Sequence, residues 1–589
     1  MEQIALHKYW SLANRKLVAK ILSEFAYEQA FRFQKDAQGY SLKLANQVSY
    51  QFQGSDNIWG QTLIEPSSIV RQPEECISAA LLMRDLQSLL KMTDDAFAEH
   101  LEDLNATLLG DCKLMLRKEA LTARDIASLP CEQQQTYFDG HPKFAFNKGR
   151  RGWGNNDLKL YAPESERAFQ LGWVAVDHSI LQLATNGNVG WQTLISGSIN
   201  DSERKTMDSI VASYGVDISD FSYIPVHPWQ WDNKLSLLFA RELAEKKLIY
   251  LGELGDKFLP QLSLRTLSNV TRPDSYDIKL PLTIMNTSCY RGIPGRYILA
   301  GPIASDWIES VFNSDTLLVE KQAEVLQEPA AAYAAQADYQ QLDQAPYRYH
   351  ELLGVIWRES TASKLKQGEQ AILMAALMEC DNQGKSLIAE YIERSGVSIE
   401  VWLSKMFDAV VIPYYHLLCK YGVSLIAHGQ NVTLILENSL PKRILLKDFQ
   451  GDMRLVDSDY PEQATLDASV KEVTVRLKEE LIIHDLQTGH FVTTLRFISP
   501  LVAKLGFSES QFYALLGKRI KAYMAQHPDY QHRFTKFDLF KPRILRIGLN
   551  LAKFRHSTDA SASRMLPDMD DMLDNPLVTA LQAEQAIKQ

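Results

Sequence analysis

Residues 424–455 read SLIAHGQNVTLILENSLPKRILLKDFQGDMRL. Two apolar, β-prone runs are each bounded by a polar cluster, His428-Gly429-Gln430-Asn431 before the first and Lys447-Asp448-Phe449-Gln450-Gly451 after the second. A buried polar group without a partner costs about 1–3 kcal/mol, so a core has no use for such residues at strand ends. With ENSLPKR as the connection, the runs form a hairpin that brings Asn431 and Asp448 to adjacent strand ends. In phosphoryl-transfer folds this layout holds Mg²⁺ against nucleotide phosphates, and KDFQG echoes the acid-bearing DFG turn of kinases. His428 lines the same pocket in this reading; the alternative is a satisfied core histidine.

The bulk properties set the frame. The chain has 589 residues, 46% hydrophobic and 23% charged, an ordinary globular balance that allows two to four domains. A formal charge of −10 excludes a nucleic-acid-binding surface, which needs a basic stripe, but not a local basic pocket for a small anion. The six cysteines show no CxxC pair, as expected of reduced thiols in a cytoplasmic protein. MEQIALHKYWSLANRKLVAKILSEF reads as an amphipathic helix and not a signal peptide, and no apolar run reaches the ~18–20 residues of a membrane span.

The texture divides the chain near 140 and 345. Residues 1–139 are mainly helical, with leucines three and four apart over 77–92 and 97–116 and short strands around 36–75. Residues 140–345 open with aromatics, glycines and prolines that break short strands. Helical patterns resume over 305–420, including TASKLKQGEQAILMAALMEC, and residues 346–589 combine these with the opening hairpin and a helical stretch from 465 to 555. The acidic segment PDMDDMLDNP is expected at the surface. The fold class is α+β.

A second polar constellation lies in the middle third. Taken as one strand, QLSLRTLSNV (261–270) points Gln261, Ser263 and Arg265 to one face. Paired with DIKLPLT, it would place Arg265 beside Lys279, with Thr266 adjoining and Arg291 arriving behind Thr287 and Ser288. Three cations and several hydroxyls on one face suit phosphate or carboxylate oxygens; a solvated face with unrelated charges is the other reading. GHPKFAFNKGRRGW adds His141, Lys148 and Arg150 in a glycine-rich turn without P-loop spacing. GxGxxG, GxSxG, HExxH and zinc-type spacings are absent. The residues together suggest ATP used without a P-loop.

Eight motifs in order then resemble one family. They are His141-Pro142 with Lys148-x-Arg150-x-Gly152, His227-Pro228-Trp229-Gln230, Ser263-x-Arg265-Thr266, Lys279, Thr287-Ser288 with Arg291-Gly292, Arg358-Glu359, His428-x-Gln430-Asn431 and Lys447-Asp448. Over about 130–550 the chain is similar to the NRPS-independent siderophore synthetases of the aerobactin-synthetase type. The resemblance implies a cupped hand of helical thumb (1–139), antiparallel β-rich fingers (140–345) and a palm with a kinase-like nucleotide site (346–589). It implies that a carboxylate attacks the α-phosphate of ATP, giving an acyl-adenylate and pyrophosphate, after which an amine displaces AMP. Carried over residue by residue, His141, Lys148, Arg150, Ser263, Arg265, Thr266, Lys279, Arg291, His428, Gln430, Asn431 and Asp448 bind ATP. Arg265, Lys279, Arg291 and His428 serve catalysis, Asn431 and Asp448 hold Mg²⁺, and Thr287, Ser288, Arg291 and Arg358 orient the acyl substrate. Ile426 stands where citrate-desymmetrising members carry Glu.

The wording of GHPKFAFNKGRRGW and LIAHGQN resembles the macrocyclic hydroxamate subgroup (putrebactin, bisucaberin, alcaligin and desferrioxamine synthetases). The expected substrate is then an N-hydroxy-N-succinyl-putrescine or -cadaverine, with a homodimer implied by the resemblance and neither nucleic acid nor membrane as a partner. Within the family, the alternative condenses a citryl or other carboxylate intermediate with a hydroxamate-bearing amine. Outside it, the Asn/Asp layout alone allows a small-molecule phosphotransferase, which would release ADP. A non-catalytic scaffold would have lost the phosphate-contacting cations, and here they are present.

Overall fold

A computed structural model of the chain describes residues 2–45, 47–287, 289–555 and 571–588. Its first layer forms as the leucine spacing predicts. Helices α1 (Glu2–Tyr27) and α2 (Asp94–Arg117) pack through Leu17, Ile21, Phe25, Leu104 and Leu108. Helix α2 begins at Thr93, whose hydroxyl accepts from the Ala96 amide, with Asp94 and Asp95 in the first turn to complement the helix dipole. Beside them the 36–75 region folds into a four-stranded antiparallel sheet, Gln34–Asp36, Gly39–Lys43, Ser49–Phe52 and Val70–Gln72.

The fingers are built on one eight-stranded antiparallel sheet. Its strands are β1 (Phe169–Asp177), β2 (Leu181–Thr185), β3 (Phe221–Val226), β4 (Leu248–Pro260), β5 (Thr266–Asn269), β6 (Tyr276–Lys279), β7 (Ala330–Ala334) and β8 (Leu353–Glu359), in the order β3-β1-β4-β5-β6-β8-β7-β2. Strand β8 is central in it, so the expected boundary at 345 cuts through the sheet. Residues 261–265 are not strand. They form the turn between β4 and β5, with Leu264 in the left-handed region at φ +70 and its side chain sealed against Trp153, Trp229, Leu282 and Ile284. Burial of that leucine outweighs the period-two pattern and breaks the strand. The shared face expected for Gln261, Ser263 and Arg265 is therefore absent, although the pairing with 276–279 forms, Thr266 opposite Lys279.

The palm sheet places β9 (Glu369–Leu373), β10 (Val432–Glu437) and β11 (Leu440–Leu446) side by side, with Glu324–Val325 pairing parallel to β11 at the edge. The opening hairpin is tighter than ENSLPKR suggests: Asn438 and Ser439, at φ 52 and 63, make a two-residue turn. The stretch 361–380, expected helical, instead supplies β9 and a short 3-10 turn at Met374–Met378. Gly368, at φ +82, starts the strand, and pairing with β10 overrides the helical spacing. Helices α3 (Gly301–Ser314), α4 (Ile399–His416) and α5 (Glu509–Gln526) cover the palm in one core that also takes in Tyr27, Trp59 and Ile126 of the thumb. The parts thus interleave. At the C-terminal end, Met572–Asp574 pairs with Arg543–Leu545, while residues 567–570 of the acidic segment lie outside the described residues. No described helix is long and apolar enough to cross a membrane.

Candidate nucleotide and substrate site

The site lies where the β5–β6 hairpin of the fingers meets the ends of β10 and β11 in the palm. In the turn before β5, the Leu264 amide donates to the Gln261 carbonyl (2.9 Å) and the Thr266 amide to the Ser263 hydroxyl (3.2 Å). Ser263 thereby closes the turn, and Thr266 is buried. Arg265 leaves the turn sideways and donates to the Gly292 carbonyl. Burial, with the Arg291 guanidinium nearby, pulls the pKa of Arg265 down from its ordinary value and outweighs the opposing pull of Asp448 and Glu351.

Lys279 ends β6 and donates to the Asp448 carboxylate at 2.7 Å. Arg358, on β8 opposite Asp277 and 1% exposed, reaches the same carboxylate while holding Glu328 through Nε and Nη2 at 3.1 and 2.7 Å. Asp448 itself sits at φ +68, a left-handed conformation that turns the chain out of β11. Burial alone would raise its pKa, but Arg358, Lys279 and Lys447 outweigh burial and hold it well below the carboxylate range. Fingers and palm are therefore joined by a carboxylate shared between two cations. Removing one member of such a buried set costs about 3–5 kcal/mol, because the remaining charges stay buried.

Asn431 does not face Asp448 in a hydrogen bond. Its amide donates to Asp452 at 3.0 Å and to the Ile426 carbonyl at 3.4 Å. Asn431 and Asp448, expected to share a metal, thus meet different partners: Asn431 pairs with Asp452, and Asp448 is held by Lys279 and Arg358. The 428–431 turn is fixed from behind: the Ala375 amide donates to the Gly429 carbonyl (2.9 Å), and a Cβ at Gly429 would approach that amide to 3.1 Å. His428 and Gln430 are half-exposed at the mouth. Among the described residues no three His, Cys, Asp or Glu side chains are placed to hold a metal, so a cage made of such side chains alone is absent there. An amide and one or two carboxylates are the donor set of Mg²⁺ that also takes phosphate oxygens.

His141 comes from the loop after the thumb. Burial and its neighbours His428, Lys20, Lys143 and Arg291 hold its pKa well below the usual histidine value, so the ring is neutral. The Phe144 amide donates to Nδ1 at 3.2 Å, which leaves Nε2–H as a donor. Lys148 and Arg150 are already paired: Lys148 with Asp111 (2.6 Å) and the Asp139 carbonyl (2.7 Å), Arg150 with both oxygens of Glu164 (2.7 and 3.0 Å). They anchor the loop that carries His141, and closing over phosphates would require those pairs to break.

Arg291 donates through Nη2 to the Asn286 carbonyl (3.0 Å) and the Thr287 hydroxyl (2.9 Å), while its buried Nε has no hydrogen-bond partner among the described residues. Thr287 holds φ +61, and Ser288 lies outside the described residues. A buried, unused guanidinium N–H beside Arg265 is a donor awaiting an acceptor. Sequence reasoning missed Glu328, which carries no local signal, and Asp452, which follows KDFQG by one residue.

Comparison with known proteins places the chain in a family. A model described as the IucA / IucC family matches residues 130–379, and one described as Ferric iron reductase FhuF-like transporter matches residues 400–563. The chain is 72% identical to an aerobactin synthase of Vibrio mimicus, covering 99% of each chain. It is 30% identical to a putrebactin synthase of Shewanella sp. (strain MR-4), covering 92% of this chain and 87% of that one. The solved structure of aerobactin synthetase IucC from Klebsiella pneumoniae superposes with a TM-score of 0.88 at 45% identity, covering 98% and 99% of the two chains. The chain belongs to the IucA / IucC family of siderophore synthetases, enzymes of the ligase class that typically form amides at the expense of ATP. The macrocyclic subgroup expected from the wording of two motifs is corrected: the likeness to aerobactin synthase far exceeds that to putrebactin synthase.

Proposed function

We propose that the protein activates the free carboxylate of a citryl hydroxamate half-product as its adenylate and couples it to the amine of a hydroxamate-bearing amino acid, releasing AMP and pyrophosphate. The observation that carries this reading is the cluster of Arg265, Arg291 and Lys279 around Asp448, with neutral His141 beside Arg291 and beside His428, whose carbonyl receives the Asn431 amide. The 72% identity to an aerobactin synthase supports the citryl substrate over a succinyl diamine.

The chemistry follows from the side chains. A carboxylate is ionised at neutral pH and needs no base; it needs to be held in line with the α-phosphorus while charge on the phosphoryl oxygens is neutralised. Lys279, Arg265 and the free Nε of Arg291 supply that charge, and the Nε2–H of His141 supplies a hydrogen bond. Lys279 exchanges part of its contact with Asp448 for phosphate, while Arg358 and Glu328 keep Asp448 in place. Asn431 and Asp452 are the residues that would hold Mg²⁺, which supplies charge neutralisation on the departing pyrophosphate. Thr287 and Arg291 orient the acyl carboxylate, with no covalent enzyme intermediate.

The test is incubation of the protein with ATP, Mg²⁺ and a panel of citryl hydroxamates and succinyl diamines, read by mass spectrometry. Citryl-dependent AMP and pyrophosphate are expected; ADP would instead establish the phosphotransferase. Succinyl-diamine products would restore the macrocyclic reading.

A further inference from the structure

Every acid described so far in the pocket is engaged. Asp448 is held by Lys279 and Arg358, Glu328 by Arg358, and Asp277 by the Gln261 amide at 2.7 Å. Glu351 is the exception. It lies just ahead of β8, and among the described residues no hydrogen bond or ion pair holds its carboxylate. That carboxylate packs onto the backbone of Gly292: a Cβ there would come within 2.3 Å of Glu351 Oε2. The Gly292 carbonyl is the one that receives Arg265. Glu351 therefore lines the same wall as the cations that grip the activated acyl group, and only glycine at 292 lets it approach.

We propose that Glu351 is the base that takes the proton from the amine nucleophile in the condensation step. The inference rests on the ligase reading above. The free α-amine of an amino acid, with a pKa of about 8, is mostly an ammonium ion at neutral pH, and in that form it has no lone pair to attack with. The ammonium gives one proton to Glu351, and the nitrogen lone pair then attacks the acyl carbon to form the N–C bond. The C–O bond to the adenylate phosphate breaks, its electron pair leaves on AMP, and the second N–H proton passes to water. The adenylation half-reaction has no such proton to move, which is why the cationic residues alone serve it.

The surroundings suit the task. Arg265 from the β4–β5 turn and Arg296 from the turn after Cys289–Arg291 face Glu351, as do the hydroxyl-bearing Tyr333 on β7 and Tyr347 ahead of β8. Burial pushes the carboxyl up and the two arginines pull it back, leaving it at about 7. A base is most effective when its pKa lies near the working pH.

Hydroxylamine tests this, because it is already a neutral nucleophile at pH 7 and captures the acyl-adenylate without a base. In Glu351→Gln, amide formation with the amine substrate should fall ~10²–10⁴-fold in kcat. Hydroxylamine-trapped product should stay within a few-fold of wild type. Wild-type amine coupling should rise through an ionisation near pH 7 that the hydroxylamine reaction lacks. Those two wild-type profiles carry the same test should the variant fail to fold. Equal losses with both nucleophiles, no loss with either, or identical pH profiles would overturn the assignment. If wild type gives no trapped product at all with citryl acid and ATP, the ligase reading falls first and this inference with it.

Discussion

Replacing Asp448 by Asn tests whether the shared carboxylate truly joins fingers to palm. The substitution keeps the shape and removes the charge that Lys279 Nζ meets at 2.7 Å and that Arg358 also contacts. Loss of one partner of a buried ion pair costs about 3–5 kcal/mol. Here Arg358 retains Glu328 at 2.7 Å, and the Lys279 side chain keeps 9% exposure, so some solvent reaches it. The expected loss is thus at the lower end, about 3 kcal/mol at pH 7. The pH dependence has a definite sign. The folded-state pKa of Asp448 lies well below its unfolded value of ~3.9, so its contribution is complete above ~5. It fades as the pH falls through the unfolded value towards the depressed folded one. Urea denaturation of wild type and variant from pH 7 to 3 reads this directly: the gap should narrow on acidification. A gap under about 0.5 kcal/mol at pH 7, the range of an ordinary surface substitution, or one that does not change with pH, would refute the argument.

The remaining expectations concern the site and one control. Arg265→Ala should lower pyrophosphate release about 10²–10³-fold with little change in Tm, since Arg265 is half-buried and among the described residues holds one backbone carbonyl; a large Tm drop with normal turnover would make it structural. Asp452→Asn should raise the Mg²⁺ concentration needed for half-maximal activity while the 428–431 turn stays folded, measured by titrating Mg²⁺ at saturating ATP. His141→Gln should slow adenylation, and wild-type adenylation should show no ionisation near ~6.5, because the ring is neutral throughout the working range. As a control remote from chemistry, Arg443→Met removes the 2.7 Å partner of the buried Glu369 side chain, which keeps Lys442 at 3.2 Å, and should cost about 3 kcal/mol in urea, leaving KM for ATP unchanged.

Much of the architecture is legible because it is local. Leucine spacing marks the thumb helices, and two apolar runs around a short turn mark the palm hairpin. What escapes is decided by tertiary contacts. QLSLR looks like strand, yet the pocket that seals Leu264 turns it into a bend. EQAIL looks helical in its context until β10 offers it an edge. The residues proposed for the site follow the same division. Lys279, Arg265, Arg291 and Asn431 stand in recognisable motifs, whereas Glu328, Asp452 and Glu351 matter only through neighbours far away in the chain. The fold assigns Lys148 and Arg150 partners, Asp111 and Glu164, that no motif mentions.

The Lys279–Asp448–Arg358 arrangement has a practical consequence for protein engineers. A chimaera grafting the fingers of one relative onto the palm of another must bring acid and bases from different parents into the same microscopic lock. Mismatched parents would produce molecules that fold each half well and still hold the two a little askew, so the seam should be sought elsewhere in the chain.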